Sequence, residues 1–337
     1  MLRTPYLLFL GDAADPGDAK TAFGLRDWCD GAALLGQLRL SGCTVSTGLP
    51  DMDVAGAAAA GAGSLVVGVA PVGGRIPPDW HPILVQATAA GLDIVSGMHD
   101  RLSTVPGLVE SALRHNVVLH DVRHSDRQFP AGTGRKRAGL RLLTVGTDCA
   151  LGKKYTALAL ARALRKAGIA ATFRATGQTG IMIAGSGIAI DAVVADFIAG
   201  AAEALSPPAE PDHWDIIEGQ GSLLHPAYAG VSLGLLHGSQ PDAVILCHDP
   251  ARKRLLGFPE YPVPGIAEAI DAVLRAGRLT NPAIQCIGIS INSSGIAASD
   301  RDALFRHLES AFDLPVLDPL RDPLEPLVDR MAAMAAR

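Results

Sequence analysis

A basic surplus is missing from this chain: 29 Lys and Arg stand against 34 Asp and Glu, for a formal net charge of -5. A protein that neutralises a phosphate backbone needs the opposite balance, so no nucleic-acid partner is expected. Aromatic residues are scarce at 4%, yet 48% of the 337 residues are apolar. A folded chain with a large aliphatic core follows, and disorder does not. Cysteine is sparse as well. Cys29, Cys43, Cys149, Cys247 and Cys286 are far apart and never set as CxxC, which writes neither a disulfide framework nor a zinc cluster and fits a reducing cytoplasm. Long apolar runs are lacking too. The run after Arg3 meets Gly11 and Asp12 too soon for a signal-peptide core. Val54–Gly74 is uncharged and long, but it is mostly Ala and Gly with Pro71 inside, so a helix, a turn and a buried strand suit it better than a membrane span. The 37 Gly and 23 Pro follow no fixed period, which excludes collagen and argues against a repeat array.

What the chain does have is a series of short aliphatic runs: Tyr6–Leu10, Ser64–Val69, Asp93–Ser96, Leu140–Val145, Ile216–Ile217, Ala243–Cys247 and Cys286–Ile291. Segments of helical periodicity such as Tyr155–Ala167 and Ile266–Ala276 lie between them. Strands alternating with helices mean an α/β protein with mostly parallel sheets. At about 100 to 200 residues per domain, the length suggests two domains. The polar stretch Phe129–Gly139, with three basic residues and no apolar periodicity, separates them. Residues 1–134 are expected to form a Rossmann-like domain and 135–337 an α/β domain that opens with a phosphate loop.

That loop is the sharpest motif. The run Leu142–Val145 is followed by Gly146, Thr147, Asp148, Cys149, Ala150, Leu151, Gly152, Lys153 and Lys154, and then by a helical segment rich in Ala and Leu. Strand, glycine loop and helix arrive in the order a P-loop requires. Glycines let backbone N–H groups wrap phosphate oxygens, the helix N-terminus contributes its dipole, and a Lys neutralises charge. Two features depart from GxxxxGK[ST]: five residues separate the glycines, and Lys154 occupies the position of the Mg²⁺-binding hydroxyl, with Thr156 two positions too late.

Other candidates lie at strand ends. Glu218 follows the apolar Asp215–Ile217 run and precedes two close glycines, which puts an acid at the sheet's ligand-binding edge; a solvated loop carboxylate is the plain alternative. Ala175–Gly180, after a strand around Ala171–Arg174, reads as a polar loop carrying Gln178 and Thr179. Cys247–Arg254 ends in a basic cluster, Arg252, Lys253 and Arg254, suited to further phosphates or to a wet helix start. Asn292 could meet a nucleobase or simply form a turn. His120 and His124 have the four-residue spacing of a helical metal site, but no adjacent Glu or Cys completes it. Cys149 could be an acetyl-accepting nucleophile or a small loop filler. His99 and Asp100 could face a ligand or a turn.

Gly146–Lys154 with Glu218, Gly219 and the late Asn292 resembles the P-loop enzymes grouped with dethiobiotin synthetase. The longer stretches GTDCALGKKYTALAL, RATGQTGIMIAGSGIAIDAVVADFI, IEGQGSLLHPAYAGVSLGLLHGSQPD and INSSGI resemble the D-glutamate N-acetyltransferase family across nearly the whole chain. That resemblance implies a Rossmann-like N-terminal domain, a P-loop C-terminal domain, and acetyl-CoA-dependent acetylation of D-glutamate or a related D-amino acid in its catabolism. The expected partners are the amino acid and acetyl-CoA, with no nucleic acid, no membrane and no metal, in a cytoplasmic homo-oligomer. Rival classes are an ATP-dependent ligase or kinase of the dethiobiotin-synthetase type and a non-catalytic nucleotide or CoA sensor. Lys154 in the hydroxyl position weighs against the first.

The chemistry itself assigns roles. Acetyl transfer to an amine needs a base for the ammonium proton and donors for the thioester oxyanion. Glu218 is the first candidate base, followed by Asp148 and His225. Gly146, Thr147, Asp148, Cys149, Ala150, Gly152, Lys153, Lys154 and Asn292 are expected at the cofactor. Substrate carboxylates need cationic or polar partners: Arg174 with Gln178 and Thr179, and Arg75, Arg101 and Lys20 from the N-terminal domain.

Overall fold

The structure is a computed structural model and describes residues 2–69, 73–124 and 127–336. It divides into two compact units, Met1–Arg127 with Gln178–Ala189, and Gln128–Gly177 with Ile190–Arg337.

In the first unit the chain runs β1 (Tyr6–Gly11), α1 (Lys20–Trp28), β2 (Leu34–Arg39), α2 (Val54–Ala59), β3 (Ser64–Val67), α3 (His81–Ala89), β4 (Asp93–Ser96), α4 (Leu108–His115) and β5 (Leu119–Asp121). Among the described residues these strands make a five-stranded sheet in the order β2-β1-β3-β4-β5, with every pairing parallel. A parallel sheet is covered on both faces, so its central strands read as unbroken apolar runs. All residues of β1, β3 and β4 are buried accordingly. Val54–Gly74 contains α2 and β3 where a helix, a turn and a buried strand were expected; residues 70–72 of that stretch lie outside the described residues. The strand order reverses at β1, so the carboxyl ends of β1 and β3 open a crevice of the kind parallel sheets use for ligands.

The second unit contains β6 (Leu140–Gly146), α5 (Lys153–Lys166) and β7 (Ala171–Arg174). The chain then passes through α6 (Gln178–Ala184), which belongs to the first unit, before returning through α7 (Ile198–Leu205) to β8 (Trp214–Ile217). It continues as α8 (Ala229–Ser239), β9 (Ala243–His248), a small hairpin of β10 (Arg254–Leu255) and β11 (Phe258–Pro262), α9 (Ile266–Gly277), β12 (Gln285–Ile291), α10 (Ala298–Phe312), β13 (Val316–Leu317) and α11 (Glu325–Ala335). The main sheet has the order β13-β12-β9-β6-β8-β7, again parallel throughout. Its helices pack by periodicity: α9 buries Ala269, Val273 and Gly277, each four residues after the last, on one face.

Two expectations change. The loop read at Ala175–Gly180 ends early, because Gln178, Thr179 and Gly180 form the first turn of α6. His120 lies on β5 and His124 just beyond it, so the four-residue spacing does not put them on one face of a helix. The Nε2 of His120 instead faces buried Asp93 at 3.6 Å, and His124 Nε2 contacts the His99 carbonyl at 2.9 Å.

Candidate active site

β6 sits where the connections change sides of the sheet, with β8 and β9 on its two flanks. Register puts Leu143 opposite Ile217 of β8 and Gly146 opposite Cys247 of β9. The phosphate loop, Glu218 and His248 therefore emerge side by side at the carboxyl edge, the place a parallel sheet offers to a ligand.

The loop's shape follows from its residues. Gly146 is tight, since an added Cβ would lie 3.2 Å from both the Asp148 carbonyl and Lys153 Nζ. Ala150 adopts φ +51° and Gly152 φ +105°. The first helical hydrogen bond is Thr156 N–H to the Gly152 carbonyl at 2.9 Å, so the N–H groups of the preceding turn lie outside the helix's own ladder and face the loop's mouth. Lys153 is the first residue of α5 and is buried; its ammonium donates to the Asp148 carbonyl at 2.7 Å. Burial pulls its pKa down. Lys154 is partly exposed, with its ammonium 4.9 Å from the centre of the Tyr155 ring. The late hydroxyl, Thr156, is spent on structure, bonding the Gly152 carbonyl at 3.1 Å and Ser290 Oγ at 2.9 Å.

Glu218 closes one flank. One carboxylate oxygen accepts the N–H groups of Thr176 at 3.0 Å and Gly177 at 3.1 Å. Burial raises its pKa; those two N–H groups and the charge of Lys154 oppose the rise, while Asp191 adds to it. Gly219 is required next to it, because a Cβ there would stand 1.6 Å from the Thr144 carbonyl. The Gly219 N–H donates to Thr144 Oγ1 at 2.9 Å, which fastens the end of β8 to the phosphate strand.

Asp148 is held by several partners. It is fully buried, and its carboxylate accepts Cys149 N–H at 2.6 Å, Leu256 N–H at 2.9 Å and the Arg252 guanidinium at 2.9 Å. His225 is bonded through one ring nitrogen only. Its Nδ1 accepts the Ala227 N–H at 3.1 Å, and its Nε2 faces Asp148 at 3.7 Å. Tyr228 and Phe258 pack against the ring at centroid distances of 4.7 and 5.0 Å. Asp148, Cys149 and His225 bring one possible metal-ligand atom each within 4.8 Å of one another. A ligating imidazole ordinarily donates its other N–H outward, whereas here Nδ1 accepts the Ala227 N–H, and the Asp148 carboxylate is paired with Arg252. Burial raises the Cys149 thiol pKa, with Lys153 and Arg252 acting against it.

Other candidates are placed as follows. Arg174 donates from Nε to Asp215 at 2.8 Å, part of a network in which Ser206 also bonds Asp215 and the buried Arg141. Asn292 accepts from the N–H and hydroxyl of Ser294, as a turn residue does. Gln178 and Thr179 belong to the first unit; a Cβ on Gly97 would meet Gln178 Oε1 at 1.9 Å, and Thr179 bonds Thr21 at 3.0 Å. Lys20, Arg75 and Arg101 are exposed in that same unit, after β1, β3 and β4 respectively, and so all lie on its carboxyl edge. Asp100 accepts the Ile76 N–H at 3.0 Å, and the His99 N–H bonds the Gly74 carbonyl at 2.8 Å. Sequence reasoning passed over His248, whose Nδ1 lies 2.9 Å from Thr147 Oγ1 and whose pKa is lowered by burial. The signal was available, since His248 directly follows the apolar run Ala243–Cys247.

Two parallel α/β units, one with a glycine loop between strand and helix, define a Rossmann-like plus P-loop protein. Residues 129–328 match a family model described as a domain of unknown function, DUF1611_C, P-loop domain, and residues 38–125 match its Rossmann-like N-terminal partner, DUF1611_N. A crystal structure of a DUF1611 family protein from Anabaena variabilis has the same fold at a TM-score of 0.87 and 30% identity, covering 98% of this chain and 100% of that one. A D-glutamate N-acetyltransferase of Pseudoalteromonas sp. is 49% identical over 97% of this chain and 98% of its own length. Another from Tritonibacter scottomollicae is 48% identical over 99% of this chain and 100% of its own. The chain belongs to this family, that of the D-glutamate N-acetyltransferases.

Proposed function

We propose that this protein transfers the acetyl group of acetyl-CoA to the amino group of D-glutamate, in the cytoplasm and as a homo-oligomer. The observation that carries the reading is the likeness to two D-glutamate N-acetyltransferases at 48–49% identity over nearly the whole of each chain. The phosphate loop supports it. Coenzyme A carries a diphosphate and a 3'-phosphate, so a loop with Lys153 and Lys154 can hold it without hydrolysing anything, and the replacement of the Mg²⁺-binding hydroxyl by Lys154 then costs little.

Glu218 is the proposed base. Burial raises its pKa, whereas the Asp148 carboxylate is taken up by Arg252 and two backbone N–H groups. The ammonium gives its proton to the Glu218 carboxylate. The free amine attacks the thioester carbonyl, the carbon–sulfur bond breaks, and a proton of the attacking nitrogen passes to the departing sulfur, so that the amide forms and the coenzyme leaves as its thiol. Coenzyme A is long, so a base beside the phosphate loop requires the pantetheine arm to fold back along the sheet edge. Arg174, already held by Asp215, is left to structure.

The test is release of free thiol from acetyl-CoA with D- and L-amino acids, run in excess EDTA without nucleotide. Rapid release with D-glutamate is expected. Strict dependence on Mg-ATP would move the protein to the ligase class, and binding of acetyl-CoA without turnover would make it a sensor.

A further inference from the structure

The basic cluster after β9 could serve phosphates directly, but one of its members points elsewhere. Arg252 is 79% shielded from solvent and turned onto the phosphate loop itself: Nη1 donates to Asp148 at 2.9 Å and to the Cys149 carbonyl at 2.6 Å, and Nη2 to the Ala150 carbonyl at 3.3 Å. Peptide planarity gives these bonds a consequence on the far side. In a trans peptide the N–H points opposite to the C=O, so holding the carbonyls of Cys149 and Ala150 on the Arg252 side turns the N–H groups of Ala150 and Leu151 away from it. Ala150 is held at φ +51°, a left-handed conformation that L-residues avoid and that in a loop makes a concave nest of N–H groups for an anion. The guanidinium also offsets the carboxylate of Asp148, which would otherwise repel a phosphate from inside the loop that must bind it.

We propose that Arg252 is a positioning residue for phosphate recognition: it grips the outer side of the phosphate loop, turns the inner N–H groups toward the ligand and cancels the charge of Asp148. The role needs a planar fork of donors that reaches a carboxylate and two carbonyls together, which Arg provides and Lys does not. The inference rests on the reading of the loop as the seat of coenzyme A phosphates.

Calorimetric titration of full-length protein with coenzyme A, and separately with inorganic pyrophosphate, tests it in Arg252→Met and Arg252→Lys. Charge-assisted hydrogen bonds of this kind correspond to about a ten- to hundredfold change in affinity. Arg252→Met should weaken both ligands by that much, with Arg252→Lys intermediate, and in steady-state assays the loss should fall on KM for acetyl-CoA more than on kcat. Wild-type affinity for both ligands in both variants overturns the proposal. Should Arg252→Met fail to fold, Arg252→Lys decides alone: weakened binding supports the role and unchanged binding refutes it. If wild-type protein holds pyrophosphate but not coenzyme A, the cofactor assignment fails while the role of Arg252 is still decided by the pyrophosphate arm.

Discussion

Glu218→Gln separates a proton acceptor from a structural clamp. The wild-type carboxylate holds two backbone N–H groups through a single oxygen, at 3.0 and 3.1 Å, and the carbonyl oxygen of Gln can accept both, so the loop after β7 keeps its anchor. What Gln cannot do is take a proton. A general base contributes about 10² to 10⁴ in rate, and kcat should fall by that factor while affinity for acetyl-CoA stays close to wild type. Because burial raises the Glu218 pKa, the acidic limb of the wild-type kcat profile should lie above the ordinary glutamate range; activity is lost as pH falls through the raised value, and the variant should lack that limb. Stability moves the other way. A carboxyl whose pKa is raised by folding favours the native state fully below its unfolded pKa and loses that contribution as pH rises through the folded value, so wild type should lose stability relative to the variant from acid to neutral pH. Profiles of kcat against pH at saturating substrates, with thermal unfolding over the same range, measure both. Retention of wild-type kcat together with its acidic limb would refute the argument; a raised KM with that profile intact would mean that Glu218 shapes the cofactor site while the extended pantetheine arm carries the thioester to another base.

Two further outcomes follow from the same geometry. Lys154→Ala removes a positive charge that lowers the Glu218 pKa, so the acidic limb of kcat should move to higher pH, and a limb that stays put would show that the two groups do not interact. Gly219→Ala would place a Cβ 1.6 Å from the Thr144 carbonyl and force β6 and β8 apart; overpacking of this kind costs about 1–3 kcal/mol and occasionally more, visible as a lowered Tm, and an unchanged Tm would contradict the contact.

Much of the fold was legible because parallel strands buried on both faces must be continuous aliphatic runs. Tyr6–Leu10, Leu140–Val145 and Ala243–Cys247 announce β1, β6 and β9 without help from tertiary contacts. β2 was not visible in this way, since Leu34–Arg39 mixes Gly36, Gln37 and Arg39 with its leucines; Gln37 is buried there by bonding Ser46, Asp51 and Thr47, long-range partners that local pattern does not reveal. β13, two residues long, carries no periodicity at all.

The phosphate loop was legible in the chain alone, because a strand, two glycines, a lysine and a helix start are consecutive. The placement of Glu218 at the same edge also followed from its position after an apolar run. What only the tertiary structure decided is which polar groups remain available for chemistry. The carboxylate of Asp148, a candidate base from sequence, is bonded by Arg252 and Leu256, more than a hundred residues away in sequence. Arg174, a candidate substrate clamp from sequence, is held by Asp215, and the first turn of α6, read locally as part of a loop, belongs to the first unit. The physical reason is the same in each case: backbone form is set by neighbours along the chain, whereas the state of a buried polar group is set by the partners that folding brings to it, and those partners leave no trace in its own sequence window.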